Sequence, residues 1–331
     1  MGIFWGNGGV KNVKAIYAGG GGAAKTVKEV YVGQDGVPKL VWARYVACVD
    51  WWETGIPLFD WYSVTYGGGK FVAVVVNGSA AAYSTDGITW TEAALPSYAN
   101  WYSVTYGDGK FVAVAYNSNK AAYSTDGITW TAATLPSTAT WRSVTYGGGK
   151  FAAVADKNNR VAYSVDGITW ELKYFPVNTT WYSITYGDGK FVAVAYNSNR
   201  AVCITDDGGG GTSALPSTAN WYSVTYGDGK FVAVAYNSNK AAYSTDGITW
   251  TAATLPLTAY WVSVTYGDGK FVAVAHGSDK AAYSTDGITW TVATLPLTAY
   301  WRSVTYGDGK FAAVAQSSDK AAYSSAKGPW A

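Results

Sequence analysis

Trp101-Tyr-Ser-Val-Thr-Tyr-Gly-Asp-Gly-Lys110, Phe111-Val-Ala-Val-Ala-Tyr-Asn-Ser-Asn-Lys120, Ala121-Ala-Tyr-Ser-Thr-Asp-Gly-Ile-Thr-Trp130 and Thr131-Ala-Ala-Thr-Leu-Pro-Ser-Thr-Ala-Thr140 form one copy of a 40-residue repeat. Near-copies open on Trp61, Trp101, Trp141, Trp181, Trp221, Trp261 and Trp301 and fill most of the 331 residues. Two glycine turns and a proline loop divide each copy into four short strands, at about 102–106, 111–116, 121–124 and 128–132 in the copy quoted. Gly107-Asp108-Gly109 and Asp126-Gly127 put glycine where a tight hairpin needs a positive φ, so each copy reads as an antiparallel meander.

A fixed period of about 40 residues with four strands per period is the pattern of a propeller blade. The expected fold is all-β: a seven-bladed β-propeller of four-stranded blades. The second strand, Phe-Val-Ala-Val-Ala, is apolar on both faces, as a strand covered on both sides must be. Trp90, Trp130, Trp170, Trp250 and Trp290, expected on the fourth strand, read with the opening tryptophans as packing between blades. The fourth copy departs from the pattern with Asp206-Asp-Gly-Gly-Gly210-Gly211, from which a frayed outer strand is expected. The last copy decays after Tyr323, while Trp51 precedes Pro57 as Trp250 precedes Pro256. Residues 45–52 are therefore expected to complete the outer strand of the seventh blade. The domain reading is 1–44 as a glycine-rich attachment region and 45–331 as the propeller, with 45–60 as closing strand and linker.

Charged residues make up 14% of the chain, against about 25% in ordinary soluble domains, and the net charge is +2. The basic footprint of a nucleic-acid binder is missing. No apolar run approaches a bilayer span, and the first ten residues lack the basic and apolar regions of a signal peptide. Cys48 and Cys203 match no disulfide or metal pattern, and neither a metal nor another cofactor is expected.

Two resemblances follow from the motifs. Ser124-Thr-Asp126-Gly127-Ile-Thr-Trp130 resembles the Asp-box hairpin of sialidase-like propellers, one residue shorter, which implies a fold rather than a reaction. Val13-Lys14, Tyr17, Gly19, Gly22 and Lys25 recur as Val27-Lys28, Tyr31, Gly33, Gly36 and Lys39, each copy reading as a small β-hairpin element. Together with the blade motif, this N-terminal pattern resembles tail-fibre and receptor-binding proteins of phages, or phage-derived particles, of Gram-positive hosts. With so many glycines the hairpin elements can bury little apolar surface alone, so docking on a partner or on another copy in a homo-oligomer is expected. The resemblance implies virion localisation, release by lysis, and an N-terminal region attached to a tail or baseplate protein. It also implies a C-terminal region that contacts a bacterial surface glycan or other receptor.

A glycosidase generally needs two carboxyl groups flanking one bond. The only glutamates, Glu29, Glu53, Glu92 and Glu171, do not supply such a pair, the aspartates lie mostly in turns, and His276 is the only histidine. The expectation is of no catalytic residues and no enzyme; the alternatives are an interaction scaffold and, behind it, a sialidase-like hydrolase. The turns at one end of the repeat are nearly constant, whereas the connections at the other end vary, as does the second residue of the first strand. The candidate binding residues at that variable end are Tyr116, Asn117, Arg142, Tyr196, Asn197, Tyr236, Asn237, Tyr260, His276, Tyr300 and Arg302.

Overall fold

The computed structural model describes residues 16–18, 25–34, 37–44, 49–206 and 208–325, and all its regular structure is β. The chain divides into two compact units, Met1–Val49 and Asp50–Ala331. In the first, Ile16–Ala18, Lys25–Gln34 and Val37–Arg44 form an antiparallel sheet in chain order, with Ile16 opposite Val27 and Lys28 opposite Arg44. Val13, Lys14, Gly19, Gly22 and Gly36 of the expected hairpin elements lie outside the described residues.

The second unit repeats one four-stranded meander. In the third copy its strands are Trp141–Gly147, Lys150–Ala155, Asn158–Ser164 and Glu171–Thr179, paired in that order. The first hairpin closes with Gly147 opposite Lys150 around Gly148 and Gly149, at φ +55° and +73°. Two successive positive φ values match the twist of the flanking strands; elsewhere Asp108 and its equivalents occupy the first position at about +47°. The other turn at this end is held by its own side chains. The Asp126 carboxylate accepts from the N–H groups of Ile128 and Thr129, both at 2.8 Å, and from the Ser124 hydroxyl at 2.9 Å. Ser124 Oγ in turn accepts from Gly127 N–H at 2.8 Å.

Among the described residues of this unit the apolar mass lies between successive sheets rather than in one central core. Phe111, Ala113 and Ala115 pack with Val72 and Val74 of the preceding copy, whereas Val112 and Val114 pack with Phe151, Ala153 and Ala155 of the next. This is why the second strand is apolar on both faces and why its alternate residues are small. Ala312 and Val314 of the seventh copy share a cluster with Phe71, Ala73 and Val75 of the first. The first strands repeat this relation through hydrogen bonds. Ser63 Oγ accepts from Val104 N–H at 3.1 Å, Ser103 Oγ from Val144 N–H at 3.1 Å, and so on through Ser143, Ser183, Ser223 and Ser263. Ser303 Oγ accepts from Val64 N–H at 3.1 Å, returning to the first copy.

The seventh sheet is completed by Trp52–Phe59, with Tyr323 opposite Trp52 and Ser318 opposite Phe59. Completion from upstream of the first copy matches the expectation, but the stretch expected, 45–52, is corrected to Trp52–Phe59; residues 45–48 lie outside the described region. The alignment of Trp51 with Trp250 is sound, but the fourth strand starts after that tryptophan, as in Thr251–Ala259, and runs through the proline. Pro136 likewise lies inside Thr131–Ala139 rather than in a loop. That strand pairs on one side only, and its register jumps from Lys120↔Thr134 to Ser118↔Ala139, so the proline needs no ladder partner. Ile128 and Trp130 consequently sit in the turn before the strand.

The fourth copy also corrects its expectation. Gly210–Gly227 is one strand from the outer edge into the next copy's first strand, with Cys203 opposite Gly211 and Arg200 opposite Ala214. Asp206 anchors the altered turn: it accepts from Tyr186 Oη at 2.6 Å, and its carbonyl accepts from Lys150 Nζ at 3.0 Å.

Candidate recognition face

The direction of the strands puts the connections after the second and fourth strands at one end of the unit. The second residue of each first strand lines the axis there, with the serine ring beside it. Tyr62, Tyr102, Arg142, Tyr182, Tyr222, Val262 and Arg302, together with those serines, enclose a cavity of about 100 Å³. Six of these side chains form a closed circuit. Tyr62 lies against Tyr102 with ring centroids 4.2 Å apart, the Arg142 guanidinium lies 5.0 Å from the Tyr102 ring and 3.7 Å from that of Tyr182, and Tyr182 lies 4.5 Å from Tyr222. Arg302 closes it by donating from Nη1 to Tyr222 Oη at 3.2 Å and lying 4.8 Å from the Tyr62 ring. It reaches Tyr222 past Val262, the one short side chain at this position.

The two arginines are held differently. Arg302 Nε donates to Gln316 Oε1 at 2.6 Å. Arg142 is sandwiched by aromatic faces, its side chain 11% exposed; its Nε is 3.8 Å from the buried Asp156 carboxylate, within ion-pair reach but too far for a hydrogen bond, and has no hydrogen-bond partner. Asp156 Oδ1 also lacks one. Burial holds the Tyr62 phenol well above its ordinary range; Tyr222 reinforces the shift and the two arginines oppose it, so the hydroxyl stays protonated at neutral pH.

The structure brings most of the sequence-expected residues to this mouth. Tyr116 stacks on Tyr102 at 4.3 Å and lies 5.2 Å from the Arg142 guanidinium. Tyr196 stacks on Tyr182 at 4.9 Å, and Tyr236 on Tyr222 at 5.4 Å. Tyr260 extends the row 4.9 Å beyond Tyr236. His276 and Tyr300 form a neighbouring pair at 5.0 Å, with His276 Nδ1 3.3 Å from the Trp301 carbonyl. Burial, then the charge of Arg302, lowers the His276 pKa. Asn117, Asn197 and Asn237 are exposed at turn tips with φ of +50° to +53°, which accounts for asparagine there without a ligand. The candidate residues read from sequence left out Tyr62, Tyr102, Tyr182, Tyr222, Gln316 and Asp156. For Tyr102, Tyr182 and Tyr222 a signal was present, since they share the second position of the first strand with Arg142 and Arg302.

Charge is distributed unevenly between the two ends. At the mouth end, Lys120, Arg160, Arg200 and Lys240 have no carboxylate partner among the described residues, while Lys280 pairs with Asp279 and Lys320 with Glu53 and Asp319. At the opposite end, Lys110, Lys190, Lys230, Lys270 and Lys310 pair with hairpin aspartates, leaving the second-turn carboxylates in excess over Lys70 and Lys150. No cluster of three or more metal-ligating side chains occurs among the described residues.

No protein-family model matches the chain, and no curated protein sequence is significantly similar to it. Solved structures do share its fold. Virginiamycin B lyase from Staphylococcus aureus is 18% identical with a TM-score of 0.75, over 83% of this chain and 98% of the lyase. YCF48 bound to D1 peptide is 13% identical with a TM-score of 0.67, over 85% and 99%. The β-propeller domain of Cps50 (Swd1) from Myceliophteria thermophila is 10% identical with a TM-score of 0.65, over 82% and 99%.

This chain has the β-propeller fold, and at these identities the likeness extends to the fold alone. The expectation that it is not an enzyme is corrected: the same fold at the same size carries catalysis in virginiamycin B lyase. A histidine-to-alanine variant of that lyase is catalytically inactive. Counting histidines and carboxylate pairs was therefore too narrow a test, because a single histidine can be indispensable on this scaffold.

Proposed function

We propose that the Asp50–Ala331 unit is a closed propeller of seven blades that recognises a polar surface ligand, with a bacterial surface glycan as the favoured class. One observation carries this reading: the circuit of tyrosines and arginines around the axis opens on the end where the connecting loops vary. Tyrosine faces offer rigid apolar area to sugar rings, their hydroxyls and the neighbouring amides offer hydrogen bonds, and several shallow contacts gain by avidity on a multivalent particle. Attachment to a phage-type particle through the N-terminal unit rests on the sequence resemblance alone. A protein-interaction scaffold is the second reading, supported by the peptide bound to YCF48.

The test is binding of the full chain to whole bacterial cells and to a glycan array, with ligand recovered and analysed for turnover. Replacing Tyr116, Tyr196 and Tyr236 by alanine is expected to lower binding by about tenfold or more, since each removes a stacked ring. Replacing Lys110, Lys190 and Lys230 at the opposite end is expected to leave it unchanged. The reverse pattern overturns the assignment of the face, and capture of a peptide with no glycan bound favours the scaffold.

A further inference from the structure

The strongest unused feature is the pair of arginines in the axial circuit. At one repeated position the third and seventh copies carry Arg where the others carry Tyr or Val, and both turn onto the axis. Aromatic faces cover the flat sides of the Arg142 guanidinium, and its buried Nε has no hydrogen-bond partner. Arg302 is anchored only by the neutral Gln316 and Tyr222, and no carboxylate pairs with it among the described residues. A guanidinium is always charged and presents its N–H groups as a flat fork, the geometry that a carboxylate or phosphate matches.

The surroundings favour the same ligand. The serine hydroxyls beneath the circuit each accept one backbone N–H and keep their own hydrogen to donate toward the axis. Lys120, Arg160, Arg200 and Lys240 add unpaired positive charge at this end. They stand outside the cavity lining, on the third strands, and an excess of one sign of charge near a concave site raises the local concentration of the opposite sign. The Asp156 carboxylate, 3.8 Å from Arg142, offsets part of one charge and leaves that of Arg302.

We infer that the axial mouth is an oxyanion site, in which Arg142 and Arg302 seat the carboxylate or phosphate of an acidic surface polymer above the serine ring. This deepens the recognition reading and rests on it for the face, while adding that the ligand is acidic. The tyrosines would pack the sugar or polyol on either side of the acid group.

The experiment measures binding of the full chain to three oligomers at low salt: an oligogalacturonate, a glycerol-phosphate oligomer and a neutral galacto-oligosaccharide. At least one acidic oligomer is expected to bind about tenfold or more tightly than the neutral one, with the preference falling as salt is raised. Which acidic oligomer binds distinguishes carboxylate from phosphate. Arg302→Gln keeps the length and a hydrogen-bonding end and is expected to remove most of the preference. Arg142→Gln is made together with Asp156→Asn, so that no buried carboxylate is left without its cation, and is expected to act likewise. Thermal unfolding confirms that both variants are folded, and an unfolded variant is replaced by Arg302→Lys, for which a smaller loss is expected. Equal binding of acidic and neutral oligomers, or acidic binding undiminished in folded variants, overturns the inference. If cell binding still depends on Tyr116, Tyr196 and Tyr236 in that event, the recognition reading survives without the acid; if it does not, both fall.

Discussion

Gly307→Ala tests whether the seventh copy packs against the first. A Cβ at Gly307 would lie 1.9 Å from Cγ of Tyr66 and 2.3 Å from each Cδ, where ordinary contact needs about 3.4 Å or more. The clashing atoms are at the root of the ring, so turning the ring about χ2 cannot relieve them, and a χ1 change would have to break the contact with Phe71, whose ring centroid lies 4.7 Å from that of Tyr66. Gly307 is not among the glycines with positive φ, so its backbone accepts alanine. Without Tyr66 the substitution would stabilise by about 0.4–1 kcal/mol through the unfolded chain. Overpacking by this distance costs about 1–3 kcal/mol, at the upper end here because the first strands are cross-linked by the serine ring. The expected net loss is about 2 kcal/mol in urea unfolding. In a Tyr66→Ala background the same substitution is expected to be neutral or slightly stabilising, so the cycle should return a coupling of about 2 kcal/mol or more. Gly307→Ala that is stabilising in the otherwise unaltered chain would refute the contact and the closure with it.

Two further outcomes follow from the fold. Removing residues 1–59 takes away the strand to which Ala321 and Tyr323 bond, alternate residues of their own strand facing the other neighbour, and hydrogen exchange at those two amides is expected to become fast, whereas retained protection would mean another partner covers that edge. The Asp126 and Asp246 carboxyls are held at about 2, first by the N–H groups of Thr129 and Thr249 and then by Ile128, Ile248 and the turn serines, against burial that opposes the shift. Because the folded values lie below the unfolded ones, the stability they contribute is present above about pH 4 and is lost as pH falls towards 2. A double Asp126→Asn, Asp246→Asn variant is expected to flatten that part of the stability curve measured by urea unfolding, and an unchanged slope between pH 4 and 2 would refute the role of these turns.

The repeat in the sequence was enough for the strands, their order and the turn chemistry, because those depend on near neighbours. Gly107-Asp108-Gly109 bends by its own φ values, and Ser124, Asp126 and Gly127 bond to one another within a few residues. The doubly apolar second strand even announced that sheets would cover both its faces. Pro136 misled for the opposite reason: whether a proline breaks a strand depends on whether a neighbour needs its N–H, and that neighbour is settled by the sheet edge and its bulge. The start of the closing strand at Trp52 was likewise set by pairing with residues more than 250 positions away. The variable end and eleven candidate residues could be read from comparing copies, but the circuit itself could not. Tyr102, Tyr182 and Tyr222 look like invariant repeat tyrosines, and only convergence of the first strands on one axis turns them into the walls around Arg142 and Arg302. Local periodicity is written along the chain, whereas a site assembled from one residue of each repeat exists only once long-range packing has brought those residues together.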